Sequence, residues 1–250
     1  STTEKSYKSL VGKVFAKNYA RLGWEKKAGE SAGDETLRGT VLSRTLYSEN
    51  PEAVEKASEI YAAHKDNVAT IPADIRPIVL NNEIKTSNSA ELVASYMDTY
   101  VKTSLQELKR ELAAAVANVR DEAAIKGLLE DFKNADIVKP QDIAFSWFYL
   151  LAKDFAQDAA WTWEQENWDW IAEKLGGDMS YDKFVIYPGN VFKTAEKFEE
   201  YKAFFEPKLS NPGLKRSIEM AIKQIDARVS LINNQKSAVE SAIVDVEKEL

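Results

Sequence analysis

An all-α fold, arranged as an α-solenoid of antiparallel helix pairs in a HEAT/armadillo-like superhelix, is predicted by three observations. Only ten glycines and seven prolines punctuate 250 residues. Between them apolar residues recur at intervals of three and four rather than two, the period of a helix and not of a strand. The connections implied by this punctuation run to only about 2–8 residues, which suits consecutive helices burying their stripes against one another. The fixed repeat of about 34 residues and the Trp-Leu-Gly-Tyr positions of tetratricopeptide arrays are absent, so any repeats are degenerate.

The elements follow in order. A first helix over residues 4–22 stops at Gly23, Asp34 caps a second that runs to Tyr47, and Asn50 before Pro51 opens a third through His64. Pro72, Ser89 and Ser104 begin the next segments. A helix over 119–132 follows, and Lys139-Pro140 starts another with its proline in the first turn. One continuous helix is expected over 157–175, halted by Gly176-Gly177, then shorter helices over 180–191 and 194–205. Asn211-Pro212 introduces the longest one, in which Leu214, Ile218, Ala221, Ile222, Ile225, Val229 and Ile232 form a single stripe. With a helical tail over 235–250 and no linker or low-complexity tract, residues 1–250 read as one domain of ten to twelve helices.

Composition removes several classes of function. Cysteine is absent, which excludes disulfides, thiolate nucleophiles and cysteine-ligated metal, and fits a cytoplasmic location. A single histidine, His64, excludes any zinc site that needs two or three imidazoles from this chain. The net charge of -7 repels nucleic-acid phosphates and anionic membranes. The longest nearly apolar run, 143–152, is half of the ~20 residues that span a bilayer. The opening STTEKSYKSL has neither an apolar signal core nor an initiating methionine and reads as a processed or excised start.

Four features merit weighing. His64, near a helix end in AAHKD, suits the negative end of the macrodipole and needs no function. The block WTWEQENWDW splits its tryptophans into two helical stripes, Trp161 with Trp168 and Trp163 with Trp170. The first continues into Ile171 and Leu175 and is core; the second is either a further buried face or an aromatic ledge that contacts peptide. Arg38 falls between Val41 and Leu42 in an apolar arc and therefore requires a carboxylate, supplied either by an internal Asp or Glu or by a ligand. Asp142 suits the first turn of the helix opened by Pro140.

The stretches RLGW and GDETLRGTVLSRTLY, ATIPADIRPIV, VKPQDIAFSWFYLL, WTWEQENWDWIAEKLGGD and NPGLKRSIEMAIKQIDARVSLI, in that order and spacing, resemble one family nearly end to end. It is the C-terminal helical domain of the zinc aminopeptidases related to aminopeptidase N and puromycin-sensitive aminopeptidase, in its bacterial cytosolic form. The resemblance implies a superhelical domain that closes a chamber over an upstream zinc domain of the same polypeptide and gates the peptides that reach it. The zinc, its ligands and the GxMEN motif belong to that upstream part; neither HExxH nor GxMEN occurs here, so no catalytic, metal or cofactor residue is assigned in this chain. Arg38, Trp163 and Trp170 stand as the substrate-facing candidates. A free-standing helical-repeat adaptor for proteins or extended peptides is the alternative.

Overall fold

The computed structural model describes residues 2–249, and all of its regular structure there is helical. It comprises α1 (Thr2–Leu22), α2 (Ala32–Tyr47), α3 (Pro51–His64), α4 (Arg76–Ser87), α5 (Ala90–Lys102), α6 (Gln106–Val116) and α7 (Glu122–Asp131). Then come α8 (Pro140–Leu151), α9 (Gln157–Glu166), α10 (Trp168–Leu175), α11 (Lys183–Val191), α12 (Ala195–Phe205) and α13 (Pro212–Glu249), with 3₁₀ turns at Val68–Thr70 and Glu206–Lys208.

Side-chain caps account for five of the helix starts. Ser31, Asn50, Ser89, Asp121 and Thr194 each accept a hydrogen bond from the backbone N–H three residues on, satisfying a donor that the first turn leaves unpaired. Two of these correct the sequence reading. Ser31, not Asp34, caps α2, and Asp34 instead lies in the first turn, where a carboxylate favours the helix dipole. Asp121 sets the start of α7 at Glu122 rather than Val119. The segment at Pro72 forms a turn before α4 opens at Arg76, and α6 opens two residues after Ser104.

The expected continuous helix over 157–175 is interrupted at Asn167. Its side-chain amide donates to the Trp163 carbonyl at 2.7 Å, sharing the acceptor of its own backbone N–H, and its backbone leaves the helical region at φ -111°, ψ 14°. Competition of this kind between an Asn side chain and the helix ladder is a local effect that apolar periodicity does not register. With this break and the separation of α4, α5 and α6, the described residues hold thirteen α-helices rather than ten to twelve.

The chain divides into two compact units. The first runs through Asn88 and includes the stretch from Ser237 onward; the second is Ser89–Lys236. In the first, α1 packs on α2, α3 on α4, and α2 touches both α3 and α4 around Val41, Leu42, Val79 and Leu80, each at most 1% exposed. Burying such a side chain contributes roughly 1.5–3 kcal/mol. The end of α13 is tied to α1 by Ser9, whose hydroxyl donates to the Glu247 carboxylate at 2.8 Å, and by Lys13, whose ammonium donates to the Glu247 carbonyl at 2.6 Å.

The second unit pairs α5 with α6 and α8 with α9, and α8 also meets α6 and α11. Trp147 on α8 is fully buried and donates its indole N–H to the Ala160 carbonyl of α9 at 2.9 Å. An aromatic cluster fills the rest. Trp161 packs against Phe192, Tyr201, Phe204 and Phe205, and Trp168 against Tyr181, Phe204 and Phe205, at centroid distances of 5.1–6.3 Å. The two tryptophans predicted to share a stripe do share a partner surface on α12.

Candidate functional site

Trp163 and Trp170 do come together, ring edge to ring face at 6.3 Å. Trp163 is buried and turns its other side to Phe132 at the end of α7, at 5.5 Å and 85°. Trp170 is half-buried and lines a cleft of about 470 Å³ with Phe132, Lys133, Val138, Ile143 and Lys174. The geometry of the cleft follows from the local sequence. The break at Asn167 starts α10 afresh at Trp168, Ile171 and Leu175 anchor α10 in the core, and Trp170 is left on the side facing the 133–139 loop. Chemically the cleft offers an aromatic edge, aliphatic walls and two ammonium groups, of which Lys174 also pairs with Glu173 at 2.9 Å. Such a lining accepts an apolar side chain with a nearby carboxylate.

Arg38 is 1% exposed and its Nη2 meets the carboxylate of Glu30, a loop residue whose side chain is also largely buried. Hydrogen bonding from Arg38 holds the Glu30 carboxyl below its ordinary value, while the guanidinium Nε stays buried with no partner. His64, in the last turn of α3, donates from Nδ1 to the Thr70 hydroxyl at 2.7 Å, since that hydroxyl spends its own proton on the Asn67 carbonyl. Asp142 lies in the first turn of α8 and faces Tyr100. Burial, with the Asp142 carboxylate adding to it, pushes the Tyr100 hydroxyl up to about 12.

Two features escaped the sequence reading. In the first unit, Trp24, Glu25, Lys27, Glu52, Glu55 and Glu59 line an open groove of about 740 Å³, formed where the turn after Gly23 lies over α3. Glu164 is the other: a carboxyl 0% exposed whose two oxygens have no hydrogen-bond partner. A signal for it existed, because Glu164 stands three residues after Trp161 and four before Trp168, inside the stripe already assigned to the core. The residues of this chain do not fit a zinc centre. Among those described, no three His, Asp or Glu side chains are grouped to hold a metal ion, and the sequence has one His and no Cys.

Residues 1–227 match the ERAP1-like C-terminal domain. This chain belongs to the ERAP1-like C-terminal domain family. The chain is 74% identical over all 250 residues to aminopeptidase N of Lactococcus lactis subsp. cremoris, of which it spans 30%. It is 43% identical over 243 residues to aminopeptidase N of Lactobacillus helveticus, covering 97% of this chain and 29% of that protein. Aminopeptidase M1 of Arabidopsis thaliana is 25% identical over 227 residues, 89% of this chain and 25% of its own length. The ERAP1-like domain here is thus similar to under a third of each of these aminopeptidases. The all-helical fold agrees with the family, and no helix of the described residues is long and apolar enough to cross a membrane.

Proposed function

We propose that this chain is the C-terminal, substrate-gating part of a cytoplasmic zinc metalloaminopeptidase. Residues 1–250 would form a solenoid-like domain of that polypeptide, packed with its upstream catalytic domain. The observation that carries the reading is identity of 74% from one end of the chain to the other with an aminopeptidase N of which it is only 30%. The zinc ligands are assigned to the remaining part of the polypeptide, since this chain has too few metal-binding side chains to supply them. Its own contribution is to exclude bulk water and large proteins and to position the peptide, which lowers the entropic part of the barrier without touching the scissile bond.

Among the three substrate-facing candidates, Trp170 is the one whose exposure supports peptide contact. Trp163 stands behind it as a rigid backing, and Arg38 shapes the 24–31 loop through Glu30. The test is a peptide-length series on the full polypeptide with Trp170→Ala. KM should rise several-fold for peptides long enough to reach the cleft, while kcat/KM for an aminoacyl chromogenic amide stays unchanged. Equal effects on both substrates, or none on either, would refute the assignment.

A further inference from the structure

Glu164 has no place in the gating role, yet its environment is the most unusual in the chain. It is fully buried beside the aromatic cluster, and neither carboxyl oxygen is hydrogen-bonded. A carboxylate in that position would have lost its water and gained nothing in return. Among the described residues, Lys208, in the 3₁₀ turn that joins α12 to α13, is the one charge acting on Glu164. It is already committed elsewhere. Its ammonium donates to the Phe204 carbonyl at 2.8 Å and lies 3.6 Å from the centroid of the Phe204 ring and 5.4 Å from that of Trp168.

The other neighbours offer no compensation. Tyr201 of α12 is the titratable hydroxyl within reach, but it donates to the Val185 carbonyl at 3.0 Å, and burial with the Glu164 charge raises it out of any physiological range. Asp169 at the start of α10 acts on Lys208 rather than on Glu164. The helices α7 and α8, which also pack on α9, present no charged group to it among the described residues.

We propose that Glu164 is kept as a neutral carboxylic acid in the native fold and works as a pH-gated latch: losing its proton opens the aromatic joint between α9, α12 and the Glu206–Lys208 turn. The ionised form needs either water or Lys208. Water can enter only if Phe204, Phe205 and the two tryptophans separate, and Lys208 can turn inward only by releasing the Phe204 carbonyl that closes α12. Both routes loosen the same corner. Burial raises the Glu164 carboxyl well above its ordinary value of 4.5, partly offset by Lys208, so the acid is the form the packing selects.

The linkage has a definite sign. Well below pH 4.5 the group is protonated both folded and unfolded, and its burial costs the fold nothing through ionisation. Above it only the native state keeps the proton, so the folding constant falls about tenfold per pH unit until the native group ionises and the loss levels off. The experiment compares wild-type full chain with Glu164→Gln by infrared difference spectroscopy and near-ultraviolet circular dichroism between pH 5 and 10. Wild type should show a protonated-carboxyl band at pH 7 that vanishes at higher pH together with the tryptophan signal. Glu164→Gln should lack the band and hold a constant tryptophan signal.

Asp131, also raised by burial, supplies the control: Asp131→Asn must leave the Glu164 band in place. If Glu164→Gln fails to fold, Glu164→Leu serves for the subtraction, as an apolar side chain suits that packing. Absence of the band from wild type at pH 7 would overturn the proposal. So would a tryptophan transition that persists in the folded variant.

Discussion

Gly189 sits where α11 presses on α13, and replacing it by alanine tests that close approach. A Cβ at this position would lie 2.7 Å from the Ala221 Cβ and 3.0 Å from its Cα. Carbon atoms pack best at about 3.5–4.0 Å, so the helices must separate by most of an ångström. They resist, because Arg228 of α13 donates from Nη1 to the carbonyls of Gly189 and Phe192, both at 2.8 Å, and the Tyr201 hydroxyl holds the Val185 carbonyl. Overpacking of this kind costs about 1–3 kcal/mol, and exchanging a helical glycine for alanine returns up to about 1 kcal/mol. Gly189→Ala should therefore destabilise by about 1–2 kcal/mol, which is several degrees in Tm for a unit of this size. Gly127, exposed on α7 with nothing within 4 Å of the added Cβ, isolates the helix term, and Gly127→Ala should stabilise by about 0.5–1 kcal/mol. Thermal and urea unfolding of both variants, with Ala221→Gly completing a double-mutant cycle, measures the clash as a coupling energy. Gly189→Ala as stable as wild type, or a cycle with zero coupling, would refute the reasoning.

Further outcomes follow from the same packing. Arg38→Ala should lower Tm by several degrees, whereas Arg38→Met, which keeps the apolar stem, should lose less; an unchanged melting curve for Arg38→Ala would defeat the structural pairing with Glu30. Trp147→Phe removes the indole hydrogen bond to the Ala160 carbonyl, which keeps its place in the α9 ladder, so urea unfolding should show a loss of about 0.5–1.5 kcal/mol for that bond. Ser89→Ala should cost about 1 kcal/mol through the N-cap of α5, read as a lower urea midpoint at constant m.

Much of the candidate site was legible in part. The stripe that joins Trp163 to Trp170 follows from seven residues of helical spacing, and the observed ring contact agrees with it. The cleft itself was not legible, since its other walls come from α7, the 133–139 loop and α8, tens of residues away. The requirement of Arg38 for a carboxylate was readable from its apolar neighbours, but not the identity of that carboxylate, because Glu30 lies in a loop whose path no periodicity encodes.

What the sequence determined by itself was the set of short-range choices: helix instead of strand, starts set by Asn50, Ser89 and Pro140, a stop at Gly23, and which face of each helix is apolar. These depend on residues within a turn or two of one another, where capping and a 3.6-residue period act directly. Tertiary structure decided the rest. Gly189 is confined only because Ala221 arrives opposite it, and Glu164 becomes a buried acid only when α12 and the 206–208 turn close over the stripe it shares with Trp161 and Trp168. A glutamate on an isolated helix can turn to water; enclosed by aromatic rings from a distant segment, the same side chain has neither solvent nor partner, and its protonation state becomes a property of the fold.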